Sequence, residues 1–307
     1  MSAALLLSAI LAAGPPPVFT STADRVRVDV VVSHGGATLK DLPPEAFEVK
    51  DNGAIQRVEI ASREERAVHG VLVLDLSASL RPRERAALKE AAAAFLRRLE
   101  PSDHATLVTF THDVRLVSGP ADPATVLAAL DDLEDSGSTS LYDALYAGLV
   151  LAGAEEGRPF VLVFTDGEDQ TSWLGASDLT QTALRLEASV YVVSPEKWAA
   201  GADVSMRAAQ FSVPPAAAGA PSLPPRVESA SRNIVRALVA STGGQILTSH
   251  GPDGFAADFE RVLAEVKNRY LLVYDVEGPP RPGWHKLEVR LKKAKGEVRA
   301  RRGYFAR

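Results

Sequence analysis

The 307-residue chain contains no cysteine. That excludes disulfides, thiolate zinc sites, iron–sulfur clusters and a lipidated cysteine, and it fits the cytosol as well as an oxidising compartment. Positive charge is not in excess. Thirty-four Lys and Arg stand against 39 Asp and Glu, a net charge of −5, so nucleic acid is not an expected partner. Histidine is sparse: His34, His69, His104, His112, His250 and His285 are scattered, and no two have the spacing of a zinc site. No apolar run reaches the roughly 20 residues that a membrane-spanning helix needs. Catalytic signatures are missing too, with no Gly-x-Ser-x-Gly, no His-Glu-x-x-His and no P-loop. What is there is an ordinary globular composition, 46% hydrophobic and 24% charged, and enough length for about two domains or one with additions.

Met1 to Ala13 are nearly all apolar or small, and Gly14-Pro15-Pro16-Pro17 follows. The run is too short to span a bilayer but suits the core of a signal peptide, with Ala12 and Gly14 at small-residue cleavage spacing. The expectation is an exported protein, periplasmic or secreted, with a signal peptide at 1–14 and a linker at 15–24.

Residues 25–67 read as all-β. Val26, Val28, Val30 and Val32 share one face of a strand. Asp51-Asn52-Gly53 separates two extended runs, Phe47 to Val49 and Ile55 to Ile60, as a hairpin turn does. The pattern changes after residue 67. Val71-Leu72-Val73-Leu74 and Phe160-Val161-Leu162-Val163-Phe164 are continuous apolar runs, expected of strands buried on both faces. Between and after them lie helical spacings at 82–99, 125–133, 141–151, 179–186, 227–240 and 255–266, with further strands at 105–111, 114–117, 190–193 and 245–247. Alternation of this kind predicts an α/β domain over 68–267, a doubly wound, mostly parallel sheet flanked by helices. Pro214-Pro215 and Pro224-Pro225 mark an insertion loop at 195–226. Residues 268–307 return to strands. Neither β end has enough strands to stand alone, so the two are expected to form one small β module together.

Three loops carry candidate chemistry. Asp75-Leu76-Ser77-Ala78-Ser79 follows the Val71 strand, Ser138-Thr139-Ser140 opens a helix, and Thr165-Asp166-Gly167 follows the Phe160 strand. Taken singly, each reads as a helix cap or a turn. Taken together they are all at loop positions around buried strands. Ligands of open α/β sheets gather at the carboxyl ends of strands near the switch in strand order. If the Val71 and Phe160 strands are neighbours there, Asp75 and Asp166 end side by side, and two close carboxylates call for a cation between them. Ser77, Ser79 and Thr139 add neutral oxygens. The all-oxygen set Asp75, Ser77, Ser79, Thr139 and Asp166 suits Mg2+, at roughly 2.0–2.1 Å, with one position left for an outside oxygen. Mn2+ would also fit, and Ca2+ would want more ligands.

These residues resemble the metal-ion-dependent adhesion site (MIDAS) of von Willebrand factor type A domains, over about residues 68–267. More narrowly, the chain is similar to bacterial, acidobacterial-type von Willebrand factor A-related proteins, through Leu42 to Gly53, Ser138 to Leu145, Arg269 to Tyr274 and Val298 to Tyr304. The resemblance implies a metal-dependent protein-binding module for adhesion or assembly, not an enzyme. A partner's carboxylate would complete the metal's coordination. The competing readings are a Mg2+-dependent phosphoryl-transfer or hydrolytic enzyme and a metal-free scaffold. Aspartyl-phosphate enzymes of the haloacid-dehalogenase type want a second Asp two residues after the first, and Ser77 stands there. Asp143 reads as a first-turn helix acid or a partner to the loops. Glu168 and Asp169 read as solvated loop acids, with a place in the metal's outer shell as the alternative. Trp173 could be a surface contact beside the site or a buried loop anchor. The basic tail, Lys292, Lys293, Lys295, Arg299, Arg301 and Arg302, reads as a solvated strand face, with a surface for anionic lipid or nucleic acid as the alternative.

Overall fold

A computed structural model describes residues 25–35, 37–62, 67–78, 80–131, 133, 137–154, 158–195, 226–276, 282–293 and 295–306. The expected signal peptide and linker, and nearly all of the expected insertion, lie outside the described residues. The chain opens with β1 (Arg25–His34), β2 (Ala37–Thr38), β3 (Phe47–Asp51), β4 (Ala54–Gln56) and β5 (Ile60–Ser62). There follow β6 (Val68–Asp75), α1 (Pro82–Arg98), β7 (His104–Phe110), β8 (Val114–Ala121), α2 (Pro123–Ala128), α3 (Leu141–Gly153) and β9 (Arg158–Phe164). Then come α4 (Ala176–Arg185), β10 (Ser189–Ser194), α5 (Arg226–Thr242), β11 (Ile246–Thr248) and α6 (Phe255–Lys267). The last strands are β12 (Tyr270–Asp275), β13 (Gly283–Leu291), β14 (Glu297–Ala300) and β15 (Gly303–Ala306).

The central sheet has six strands in the order β11-β10-β9-β6-β7-β8, parallel except for the antiparallel edge strand β8. Its middle strands β6 and β9 carry the continuous apolar runs Val71–Leu74 and Phe160–Phe164 because both faces are covered. Leu72, Leu74, Phe160 and Leu162 point to a core under α1, α2 and α6. Val71, Val73, Val161 and Val163 point to a second core under α3, α4 and α5. Gly148 lets α3 lie close on the sheet, since a Cβ there would come within 3.0 Å of both Val73 and Val161.

The two chain ends do build one β module, as two antiparallel sheets rather than one. One runs β14-β1-β12-β5 with β2 beside β1, and the other runs β15-β13-β3-β4. They share a core in which Val26, Val28, Val30 and Val32 of β1 are all buried, packed with Phe47, Tyr270, Tyr274 and Leu287. The hairpin turn is where expected, with Asn52 at φ 47° and Gly53 at φ 86°. Its second strand is shorter than expected: β4 stops at Gln56, and Ile60–Ser62 crosses to pair with β12.

The module sits against the amino ends of the central strands. Arg302 N donates to Ser241 O at 3.0 Å, and Arg299 Nη1 donates to Gly244 O at 3.1 Å, just ahead of β11. Arg301 pairs with Glu187 at 3.0 Å, ahead of β10, and Arg299 pairs with Glu265. Three of the six basic tail residues therefore meet the seam, Arg299 and Arg301 through their side chains and Arg302 through its amide, rather than forming a solvated face. The carboxyl ends of the central strands, at the opposite side of the sheet, are left to the three loops.

Candidate functional site

β6 and β9 are parallel neighbours, in register from Val68–Arg158 to Leu74–Phe164. Chain order runs from β6 outward to β7 and β8, then returns to β9 on the other side, so the switch in strand order falls between β6 and β9. Asp75 ends β6, and Asp166 lies two residues past β9. Thr165, the residue before Asp166, donates to Asp75 Oδ2, so the loops that carry the two carboxylates meet, and the Asp166 charge acts on Asp75.

Four hydrogen bonds close the loops on one another. Thr165 Oγ1 donates to Asp75 Oδ2 at 2.9 Å, tying the third loop to the first. Ala78 N donates to Gly137 O at 3.0 Å, tying the first to the second. Gln170 N and Thr171 N donate to Thr139 O at 2.8 and 3.1 Å, tying the second to the third. Within the first loop, Ser77 N donates to Asp75 Oδ1 at 3.0 Å. Asp75, Ser77 and Thr139 are buried, and Asp166 is half-buried. The structure thus brings Asp75, Ser77, Thr139 and Asp166 into one cluster of loops, and Ser79 lies outside the described residues.

Burial pushes the Asp75 carboxyl up from its ordinary 3.8 to about 6. The Asp166 charge adds to this, and hydrogen bonds from Ser77 and Thr165 oppose it. The largest influences on Asp75 among the described residues are burial, the Ser77 and Thr165 hydrogen bonds and the Asp166 charge. A buried carboxylate that faces a second carboxylate, with only hydroxyls and amides to answer it, has the electrostatic shape of a cation site. No group of three or more His, Asp or Glu suited to a metal occurs among the described residues. A metal here would accordingly be held by two carboxylates and by hydroxyls, a hard-oxygen set fit for Mg2+.

Several supporting residues were not assigned a role from sequence. Thr165 bridges Asp75 and Gly167, donating to the one and accepting from the amide of the other at 3.0 Å. Arg232, on α5, donates from Nε to Asp166 O at 3.0 Å and pairs with Glu168 at 2.8 Å, so Glu168 is not a free loop acid. Asp169 accepts from Ser172 Oγ at 2.5 Å and from Tyr142 N at 3.2 Å, at the start of α3. Burial raises its pKa. Asp143 accepts from Trp173 N and Leu174 N, both at 2.9 Å, and so partners the loops as one of its two expected roles required. Adjacency of Thr165 to Asp166 was the one local hint; nothing near Arg232 in sequence points to the site.

Residues 71–168 match the sequence model of the von Willebrand factor type A domain, a span that includes every candidate ligand. This part of the chain is a von Willebrand factor type A domain. Domains of this family are generally interaction modules, and they often bind a divalent metal. No curated protein matches the chain. Among solved structures, a von Willebrand factor type A protein from Catenulispora acidiphila aligns at 14% identity and TM-score 0.49, covering 91% of this chain and 72% of that one. Proximal thread matrix protein 1 from the mussel byssus, with a zinc-occupied MIDAS motif, aligns at 16% identity and TM-score 0.49, covering 70% and 49%. The PilB minor pilin from Streptococcus sanguinis aligns at 10% identity and TM-score 0.48, and this chain spans 62% of its length. Among the described residues, no helix is long and apolar enough to cross a membrane.

Proposed function

We propose that this von Willebrand factor type A domain binds an exported or surface partner through a divalent metal, Mg2+ or Mn2+, held by Asp75, Ser77, Ser79, Thr139 and Asp166. The observation that carries the reading is Asp75: a fully buried carboxylate that feels the charge of Asp166 and is held by the Ser77 amide and the Thr165 hydroxyl. Bound metal would supply an open coordination position that takes an oxygen from an acidic side chain of the partner. This chain's own residues do the rest. Ser77 and Thr165 hold the Asp75 carboxylate in place, and the Thr139 carbonyl is pinned by two amides so that the second loop cannot swing away. Arg232 Nε grips the backbone carbonyl of Asp166, and the Glu168 amide donates to its carboxylate, which together fix the third loop. Low ligand charge favours an incoming carboxylate over a neutral group. Ser77 two residues after Asp75 argues against aspartyl-phosphate chemistry, where an acid is wanted. The first 14 residues fit export, which is where an adhesion or assembly module would meet its partner.

The test is calorimetric titration of metal-stripped protein with Mg2+ and Mn2+, beside the Asp75→Ala variant. Saturable binding by the wild type, lost in the variant, is the expected result. Equal heats from both proteins would overturn the metal reading and leave a metal-free scaffold.

A further inference from the structure

We infer that Trp173 is the specificity contact of this same face, and that the partner presents an acidic residue with a large apolar residue close by in its sequence. The inference rests on the metal-dependent reading above. Trp173 is 95% exposed, the most exposed of the large hydrophobic side chains among the described residues. Tryptophan is costly to leave in water, because its ring carries roughly 150–250 Å² of surface that burial would remove from solvent. Its exposure here does not come from a loose segment. The backbone on both sides is fastened to α3: Trp173 N and Leu174 N are held by the Asp143 carboxylate, and Ser172 Oγ accepts from Tyr142 N and Asp143 N at 3.0 and 3.2 Å while donating to Asp169. The loop is fixed and the ring is presented.

The position also fits. Thr171 N lies 3.1 Å from Thr139 O, and Ser140 Oγ lies 2.9 Å from Thr171 Oγ1. Trp173 is two residues further on, within a backbone reach of roughly 7 Å. A partner segment whose carboxylate reaches the Asp75–Thr139–Asp166 cluster therefore has Trp173 within reach of its neighbouring residues. The two contacts divide the work: a charge supplies orientation and metal dependence, while a rigid aromatic at the rim supplies the desolvated contact that usually dominates an interface. A carboxylate alone is too common to select a partner. A carboxylate at a set distance from an apolar side chain is not.

The experiment is selection of a random linear peptide library on the immobilised full-length chain in Mg2+ buffer, followed by affinity measurement of the enriched peptides. Enriched peptides should carry an Asp or Glu with a large apolar residue close by. Against Trp173→Ala they should bind roughly tenfold or more weakly, and Trp173→Phe should recover part of the loss. Calorimetric Mg2+ binding should be the same in all three proteins. Peptides that need Mg2+ and Asp75 but bind Trp173→Ala undiminished would overturn this inference and leave the metal reading standing. Peptides that bind Asp75→Ala, or bind in EDTA, as well as they bind the wild type in Mg2+ would overturn the metal reading and this inference with it. Failure to enrich any peptide with that pairing also overturns the inference.

Discussion

Asp51 in the β module and Asp75 at the end of the central sheet are both buried aspartates, and their surroundings differ in kind. Asp51 is answered completely by its own chain. Tyr274 and Tyr304 donate to Oδ2 at 2.9 and 2.8 Å, and His285 Nδ1 lies 2.7 Å from Oδ1. These partners come from β12, β15 and β13, while Asp51 closes β3, so one carboxylate fastens the first part of the chain to the last. Asp75 receives a backbone amide and a threonine hydroxyl, and it faces the charge of Asp166. A carboxylate ringed by donors within the fold serves the fold. A carboxylate buried against another of the same sign costs the fold stability, and the cost is reason to look for a ligand.

The largest expected effect is on the structural member of the pair. Asp51→Ala leaves His285 and two tyrosine hydroxyls buried without their acceptor, a change that costs about 3–5 kcal/mol in comparable buried pairs. Urea unfolding should show a loss of that order with Mg2+ affinity unaltered; a loss below about 1 kcal/mol would erase the contrast with Asp75. The second effect has the opposite sign. In metal-stripped protein the raised pKa of Asp75 means that the folded state holds its proton more tightly than the unfolded chain does. Its contribution to stability is complete below the unfolded value of 3.8 and is lost as pH rises through about 6. Two pKa units correspond to about 3 kcal/mol. Asp75→Asn should flatten this slope between pH 4 and 7 and leave the metal-stripped variant at least as stable as the wild type at pH 7. Thermal unfolding across that range measures both, and a variant that is less stable at pH 7 would refute the account. The smallest effect is Gly53→Ala in the hairpin of the module. It places a Cβ at φ 86° and should cost about 1 kcal/mol in unfolding. Metal titration should not register it, since the hairpin is built into the module and not into the loops.

Much of the candidate site was legible because its signals are local. Asp75, Thr139 and Asp166 each occupy a loop directly after a buried apolar run or directly before a helix. Those runs are readable from composition alone, since a strand covered on both faces has no polar side. Thr165, Arg232 and Asp169 were not legible in their roles. Arg232 reaches Asp166 across 66 residues of chain, and no pattern around it records that reach. Trp173 stood between two readings until its exposure was known. β15 was not foreseen because its four residues become a strand only by pairing with β13.

The sequence by itself determined the periodicities: which runs lie inside a sheet, which faces of helices are apolar, where the polar loops fall, and that Val26 to Val32 turn one face inward. These depend on neighbours within a few residues, and the rise and rotation per residue carry them. Tertiary structure alone decided that β9 lies beside β6, that Ile60–Ser62 leaves one sheet for the other, and that Arg299 and Arg301 serve the seam between module and domain. Parallel neighbours are joined by long crossovers, and a strand apolar on both faces accepts many partners equally well. The choice among them is made by the packing of the helices on the sheet and the closing of the β module at once, and that packing is what brings the loop of Asp166 to the loop of Asp75.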